Sequence, residues 1–204
     1  MIKAIIFDFG GPIVEWDAPM REVYKKHERH HNLEADELLK VFQAYYEASD
    51  IGGFDSLTHF IETTKPPLKL TIEELNEVFD EANESMQIRP EIIDYIVELK
   101  KEYKIGLLSN FAAGLPIFLQ KIFNVYHLFD VVVSSHAVKM RKPDPRIYQH
   151  TLDELGVAAE EAVFIDDLKE NVKAAEALGI RSILFKDSKQ CKEELEKLLH
   201  DDND

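Results

Sequence analysis

Residues 3–12, KAIIFDFGGP, form a short isoleucine-rich run that stops at Asp8 and a Gly-Gly-Pro turn. Four similar runs follow, at residues 105–108 (IGLL), 130–133 (DVVV), 162–165 (AVFI) and 181–185 (RSILF). Short runs that are apolar on both faces, and that alternate with helical patterns, are typical of buried parallel strands. The sequence therefore predicts an α/β fold with a doubly wound parallel sheet.

The segment between the first two runs has a different pattern. Residues 17–88 carry several helical stripes and no convincing strand, and Thr71 and Glu74 match a capping box at the start of the longest stripe. Beyond this segment, Pro90 is a favourable first residue of a helix, and the apolar residues after it have helical spacing. We expect a core domain formed by residues 1–16 and 89–204, with a small helical cap domain, residues 17–88, inserted after the first strand.

Polar residues follow the predicted strands at four places. These are Asp8, Ser109–Asn110, the Arg141–Lys142–Pro143 segment and Asp166–Asp167. The carboxyl ends of parallel strands face one crevice, which is where ligands of such sheets bind. Taken singly, each has an ordinary explanation: Asp8 as a turn residue, Ser109–Asn110 as the end of a strand, the aspartate pair as a helix cap and Lys142 as a surface lysine. Their expected convergence favours a catalytic site.

Four segments carry a family resemblance: FDFGG (residues 7–11), LLSN (107–110), RKPDPRIY (141–148) and FIDDLKEN (164–171). In this order they resemble the four motifs of the haloacid dehalogenase superfamily, which has a Rossmann-like core, in the subclass with a C1-type helical cap. The resemblance covers residues 2–15 and 90–186. Within the superfamily the chain is similar to bacterial α-D-glucose-1-phosphate phosphatases, which share a glycine two residues after the nucleophile.

This resemblance implies a role for each motif residue. Asp8 would be the nucleophile of a phosphatase that forms an aspartyl phosphate. Mg²⁺ would be bound by Asp8, the Gly10 carbonyl and Asp166, with Asp167 in the outer shell. Lys142 would bind and neutralise the phosphate, and the substrate-binding set would include two further residues, Ser109 and Asn110. Asn171 would hold the acidic loop by hydrogen bonds.

Gly10, Pro12, Ala137 and Lys139 depart from the family pattern, and two of them bear on the chemistry. Gly10 stands where most phosphatases of the superfamily have an acid–base aspartate, whose loss typically costs 10²–10⁴-fold in rate. Lys139 stands where relatives often have glycine, which predicts a different course for the lysine loop. Without the aspartate, we expect sugar 1-phosphates to react better than 6-phosphates. Haloacid dehalogenation and a non-catalytic phosphate-binding role remain as alternatives.

Composition restricts the partners. The net charge of −15 repels nucleic acids and anionic membranes, and no basic stripe offsets it. Cys191 is the only cysteine, which fits a reducing cytosol. The N-terminal run is too short and too polar for a signal peptide, and no run approaches the ~18 apolar residues that span a bilayer. We expect a cytoplasmic protein with a small phosphorylated substrate and without nucleic-acid, membrane or obligate protein partners.

A histidine cluster has two interpretations. His27 and His31 fall on one face of a predicted helix, beside His30, and are candidates for metal binding. Solvated histidines are favoured, because no cysteine or acidic ligand set lies nearby in the sequence. The acidic residues between 71 and 85 are likewise interpreted as a solvated helix face.

Overall fold

The computed structural model describes residues 1–200, so the last four residues of the predicted core domain lie outside it. The strands are β1 (Ala4–Phe7), β2 (Val14–Glu15), β3 (Gln87–Ile88), β4 (Lys104–Ser109), β5 (Val131–Ser134), β6 (Ala162–Asp166) and β7 (Arg181–Leu184). Five of them form a parallel sheet in the order β5-β4-β1-β6-β7. The chain thus builds outward on one side of β1 and then returns to the other side, which confirms the doubly wound α/β fold.

The helices cover the sheet and build the segment after β2. They are α1 (Asp17–His31), α2 (Glu37–Ser49), α3 (Leu57–Thr64), α4 (Ile72–Glu84), α5 (Pro90–Leu99), α6 (Leu115–Phe118), α7 (Ser135–Val138), α8 (Pro145–Leu155), α9 (Lys169–Ala177) and α10 (Ser188–His200). Pro90 is the first residue of α5, as its fixed φ favours.

Both faces of the sheet are buried. Ile5 and Phe7 of β1 belong to one cluster of buried apolar side chains, which includes Ile92 of α5 and Leu195 of α10. Their neighbour Ile6 belongs to a second cluster, with residues of α8 and α9. Successive strand residues point to opposite faces, so a strand covered on both sides must be apolar throughout. This is the physical origin of the apolar runs in the sequence.

Helices α1–α4 form the helical insert (residues 17–84). Tyr24 of α1 stacks on Phe42 of α2, with ring centroids 5.0 Å apart. The capping box at the start of α4 is confirmed, because Thr71 Oγ1 accepts from the Glu74 N–H and the Glu74 carboxylate accepts from the Thr71 N–H. That the insert acts as a cap domain stays a prediction.

One expectation about this segment is wrong. Residues 17–88 do contain a strand, since Gln87–Ile88 pairs antiparallel with Val14–Glu15. A strand of two residues is too short to show an alternating pattern, so the sequence carries no signal for it. The ribbon brings the two ends of the insert together beside the sheet.

The histidines lie against the acidic face of α4. His27 Nε2 is 2.7 Å from Glu81 Oε2, and His31 Nδ1 is 3.9 Å from Glu74 Oε1. Both rings are largely buried between α1 and α4, whereas His30 is exposed. The interpretation of all three as solvated is therefore wrong for His27 and His31, which contact Glu81 and Glu74 on α4.

In the described part of the chain, no helix has the length and apolar character to cross a membrane. The cytoplasmic location stays a prediction.

Candidate active site

Polar side chains meet at the carboxyl edge of the sheet, beside the point where the strand order reverses. Asp8 directly follows β1, Ser109 ends β4 and Asp166 ends β6. These three strands are neighbours, so their ends lie side by side. Lys142 reaches the same place from the loop between α7 and α8. In doubly wound sheets this crevice is the usual ligand site.

Lys142 is the buried cation of the site. Its side chain is 1% exposed, and its ammonium nitrogen lies 2.8 Å from Asp8 Oδ1 and 2.6 Å from Asp166 Oδ2. It also donates to the Leu108 carbonyl at 3.0 Å. Burial opposes the charge, but the carboxylates of Asp8 and Asp166 outweigh burial and raise the pKa of Lys142. The side chain is therefore a fixed positive charge beside Asp8.

Asp8 combines burial with a strong partner. Burial is the main reason that the pKa of Asp8 rises to about 7; Lys142 lowers this pKa, and Asp166 raises it further. Its Oδ1 also accepts from the Phe9 N–H at 2.7 Å. A cation bound beside this carboxylate would favour its ionised, nucleophilic form.

Three carboxylates fit a metal ion. Asp8, Asp166 and Asp167 each offer an oxygen atom, and these atoms lie within 4.8 Å of one another. Oxygen ligands of octahedral Mg²⁺ lie about 2.1 Å from the ion, so neighbouring ligands are about 3 Å apart. The cluster therefore fits Mg²⁺ in ligand type, and its oxygen atoms lie near enough to one another for one ion to bind beside them.

The two aspartates after β6 face different surroundings. Asp167 lines the cavity above Asp8, and it lies so close to Gly11 that a Cβ there would be 2.6 Å from Asp167 Cγ. Gly11 also has a φ of +87°, which favours glycine. Asp166 is fully buried, and it accepts from Leu168 N at 2.8 Å and from Asn171 Nδ2 at 3.0 Å. Asn171 thus holds the acidic loop.

Ser109 and Asn110 have separate environments. Ser109 is 3% exposed and lines the cavity. The Asn110 side chain forms two hydrogen bonds with the Lys142 backbone: Nδ2 donates to its carbonyl at 3.0 Å, and Oδ1 accepts from its N–H at 2.8 Å. The Asn110 side chain therefore positions the lysine, and substrate binding by Asn110 stays a prediction.

Lys139 adopts the conformation that glycine would favour. It ends α7 with a φ of +56°, and its side chain extends over Gly52 of the insert. Residue 139 is thus left-handed although it is a lysine, and the expected difference in the course of the loop stays a prediction. The Asp144 side chain caps α8 immediately after the loop, by accepting from Arg146 N at 2.9 Å.

A cavity of about 270 Å³ lies between this edge of the sheet and the insert. On the sheet side its wall includes Asp8, Ser109, Lys142 and Asp167. On the side of the insert it includes Met20 of α1, Gln43, Tyr46 and Glu47 of α2, and Asp50 directly after α2. Trp16 and Gly10 face each other in the same wall. The insert residues were missed by the sequence analysis because no motif marks them.

The sequence profile described as haloacid dehalogenase-like hydrolase matches residues 5–185. The chain belongs to the haloacid dehalogenase-like hydrolases. Among curated proteins of similar sequence, drimenol cyclase drtB of Aspergillus calidoustus is 27% identical over 206 residues, which cover 91% of this chain and 34% of that protein. Because the chain spans about a third of that relative's length, the whole relative's activity is no guide to this hydrolase.

Solved structures share the fold. The wild-type enzyme bt-2542 of this family from Bacteroides thetaiotaomicron, in complex with magnesium and inorganic phosphate, has a TM-score of 0.70 at 23% identity, over 90% of this chain and 93% of that one. The family phosphatase from Thermococcus onnurineus has a TM-score of 0.62 at 27% identity, over 89% of this chain and 85% of that one. The defluorinating L-2-haloacid dehalogenase Rha0230 has a TM-score of 0.64 at 24% identity, over 89% of this chain and 80% of that one. The fold therefore serves more than one reaction.

Proposed function

We propose that the chain is a Mg²⁺-dependent phosphatase that cleaves a small phosphorylated metabolite by phosphoryl transfer to Asp8. The observation that carries this proposal is the pairing of Asp8 with the buried Lys142 cation at 2.8 Å, inside a cluster of three carboxylates that fits Mg²⁺. A carboxylate can attack phosphorus to form an acyl phosphate. Phosphoryl transfer depends mainly on positioning and on neutralised charge, which this arrangement provides. The likeness to the Thermococcus phosphatase supports the same class.

The Mg²⁺ ligands would be Asp8, the Gly10 carbonyl and an aspartate after β6. We assign direct contact to Asp167 in preference to Asp166, because Asp167 lines the cavity whereas the Asp166 oxygens accept from Lys142, Asn171 and Leu168. Asp166 would act from the outer shell and hold the lysine. Bound Mg²⁺ supplies positive charge against the phosphate oxygens.

The chain's own groups then divide the reaction. Asp8 attacks phosphorus and forms an aspartyl phosphate as the ester bond breaks. Lys142 neutralises the phosphate oxygens, and the Ser109 hydroxyl, which lines the cavity, would donate to one of them. Water subsequently hydrolyses the acyl phosphate, which expels the Asp8 carboxylate.

Sugar 1-phosphates are the favoured substrates within this proposal. Gly10 offers no proton to the departing oxygen, and anomeric oxygens leave more easily than the alkoxides of 6-phosphates. The cavity, of about 270 Å³, suits a small metabolite.

Two alternatives remain open to experiment. In dehalogenation Asp8 would attack carbon, a reaction that needs no cation, so the three-carboxylate cluster argues against it. A non-catalytic relative would bind phosphate without turnover. Phosphate release from an aryl phosphate, measured with and without Mg²⁺, separates these two from a phosphatase.

Replacement of Asp8 by asparagine tests the nucleophile. Asp8→Asn should abolish phosphate release, because an amide cannot form the acyl phosphate. The protein should remain folded, because the shape is kept and Asp166 still pairs with Lys142. The exposed surface change Asp153→Asn is the matched control and should leave turnover as it is. Turnover of the Asp8→Asn protein at the wild-type rate would exclude Asp8 as the nucleophile.

A further inference from the structure

The proposed reaction lacks a proton donor beside its nucleophile. When the phosphorus–oxygen bond of an alkyl phosphate breaks, the departing oxygen needs a proton, and Gly10 carries no side chain to provide one. Histidines of the insert do not fill this role: within the described residues, no histidine lines the cavity. His27 and His31 face α4 instead.

Asp50 is a carboxylate in the opposite wall of the same cavity. It directly follows α2, it is 6% exposed, and it lines the cavity together with Asp8 and Lys142. Its Oδ2 lies 3.4 Å from the Arg141 guanidinium, one residue before Lys142. In phosphoryl transfer the leaving oxygen departs roughly in line with the attacking one, on the far side of phosphorus. A phosphate on Asp8 would therefore direct its leaving group towards the insert.

Contacts on both sides of Asp50 hold it against the core. His136 of α7 contacts the Ser49 carbonyl through Nδ1 at 2.8 Å, and its Nε2 lies 3.3 Å from Asp55 Oδ1. Lys139 lies over Gly52. The stretch from 49 to 55 is thus fixed on the loop that carries Lys142, which is the kind of support that a reacting group requires.

We infer that Asp50 is the general acid and base of this site, an inference that rests on the proposed function. In the first step an Asp8 oxygen bonds to phosphorus, the ester bond breaks with its electron pair on the leaving oxygen, and the protonated Asp50 gives that oxygen its proton. In the second step water attacks phosphorus and gives a proton to the Asp50 carboxylate, while the phosphorus–oxygen bond to Asp8 breaks and its electron pair returns to the Asp8 carboxylate. The alcohol and inorganic phosphate leave, and Asp50 is again protonated.

The surroundings of Asp50 suit proton transfer near neutral pH. Burial raises the pKa of Asp50 to about 6; Arg141, Lys142 and His136 lower this pKa, and Glu47 raises it. An acid–base group works best when its pKa is close to the operating pH. At pH 7 the protonated form of Asp50 would be the minor one, so alkyl phosphates would still react more slowly than anomeric ones.

A series of phosphate esters with increasingly basic leaving groups tests the role. With Mg²⁺ present, Asp50→Asn should lower kcat/KM about 10²-fold or more for hexose 6-phosphate but less than about threefold for p-nitrophenyl phosphate, whose leaving group needs no proton. Asparagine has the same shape, and it relieves the burial of a charge. Asp80→Asn makes the same carboxylate-to-amide change at an exposed position of α4 that does not line the cavity, and it should leave the dependence on leaving group unaltered.

The pH dependence gives a second measurement on the unaltered protein. The ratio of kcat/KM for hexose 1-phosphate to that for 6-phosphate should rise above about pH 6 in the wild type, and should be larger and independent of pH in Asp50→Asn. An equal loss of kcat/KM on every ester in Asp50→Asn, or a wild-type ratio independent of pH, would overturn the role of Asp50 and leave the phosphatase proposal standing. A wild-type protein that hydrolyses none of these esters would overturn the phosphatase proposal itself.

Discussion

Trp16 stands in the space that an acid next to the nucleophile would need. A Cβ added to Gly10 would lie 2.9 Å from Trp16 Nε1 and 3.2 Å from its Cδ1, so a side chain at position 10 requires the indole to move. Trp16 is 43% exposed, and its ring therefore has room to turn away. The Trp16 ring in this position thus requires a glycine at position 10. An acid introduced at Gly10 alone would have to displace the indole.

We predict that an acid can be rebuilt at position 10 when the space occupied by the Trp16 indole is cleared. Gly10→Asp combined with Trp16→Ala should reduce the preference for hexose 1-phosphate over 6-phosphate about tenfold relative to Trp16→Ala alone, because the new carboxylic acid protonates the 6-oxygen. The measurement is kcat/KM for both esters. Gly10→Asn with Trp16→Ala has the same shape without the proton and serves as the control. An equal reduction in that control would attribute the effect to shape.

The five strands of the main sheet were predictable because burial on both faces leaves a continuous run of apolar residues in the sequence of each strand. The ribbon of β2 and β3 was not, since two residues per strand show no period. The positions of Asp8 and Asp166 followed from the strand ends. The expectation that Lys142 also follows a strand was wrong, because α7 separates β5 from the loop that carries it. Asp50 could not be found this way: its place depends on how the end of α2 packs on residues 136–141, far away in sequence.

Arg89, at the junction of β3 and α5, connects the insert's exit to the turn after Asp8. Its Nε donates to the Gly11 carbonyl at 2.8 Å, and its backbone N–H donates to the Ile13 carbonyl at 2.9 Å. Arg89→Met should remove one hydrogen bond from a charged donor, worth about 1.5–3 kcal/mol. The melting temperature should fall by about 3–10 °C. The Mg²⁺ concentration for half-maximal turnover should rise severalfold, because the turn that carries the Gly10 carbonyl loosens.

Glu15→Gln provides the control for this prediction. It weakens the 3.8 Å pair between Glu15 and Arg89 but keeps the bond to Gly11, so it should change neither the melting temperature nor the Mg²⁺ response appreciably. A Mg²⁺ response unaltered in Arg89→Met would show that the turn holds its shape without the arginine.

For the whole molecule, one cluster of buried apolar side chains runs from the sheet into the insert. It contains Ile5 and Phe9 at the sheet as well as Phe42 and Leu75 of the insert. Excision of the insert would uncover this shared surface, although the pairing of Glu15 with Gln87 brings its two ends together. The insert's role in specificity is therefore better tested by substituting its residues that line the cavity than by deleting the insert.

We predict that the insert sets the substrate ranking while the sheet edge sets the chemistry. Gln43 and Tyr46 lie on α2 and line the cavity opposite Asp8, where they would contact the part of the substrate beyond the phosphate. The double change Gln43→Ala, Tyr46→Ala should reorder kcat/KM across a panel of phosphorylated metabolites by about tenfold or more, because a polar contact or an aromatic surface contributes about 1–3 kcal/mol to discrimination.

Hydrolysis of p-nitrophenyl phosphate and its Mg²⁺ dependence should change little, since neither depends on these side chains. Lys40→Ala, an exposed change on the same helix, should preserve the ranking. If the double variant keeps the wild-type ranking while folded, specificity resides in the sheet edge, and the insert serves only to close the cavity.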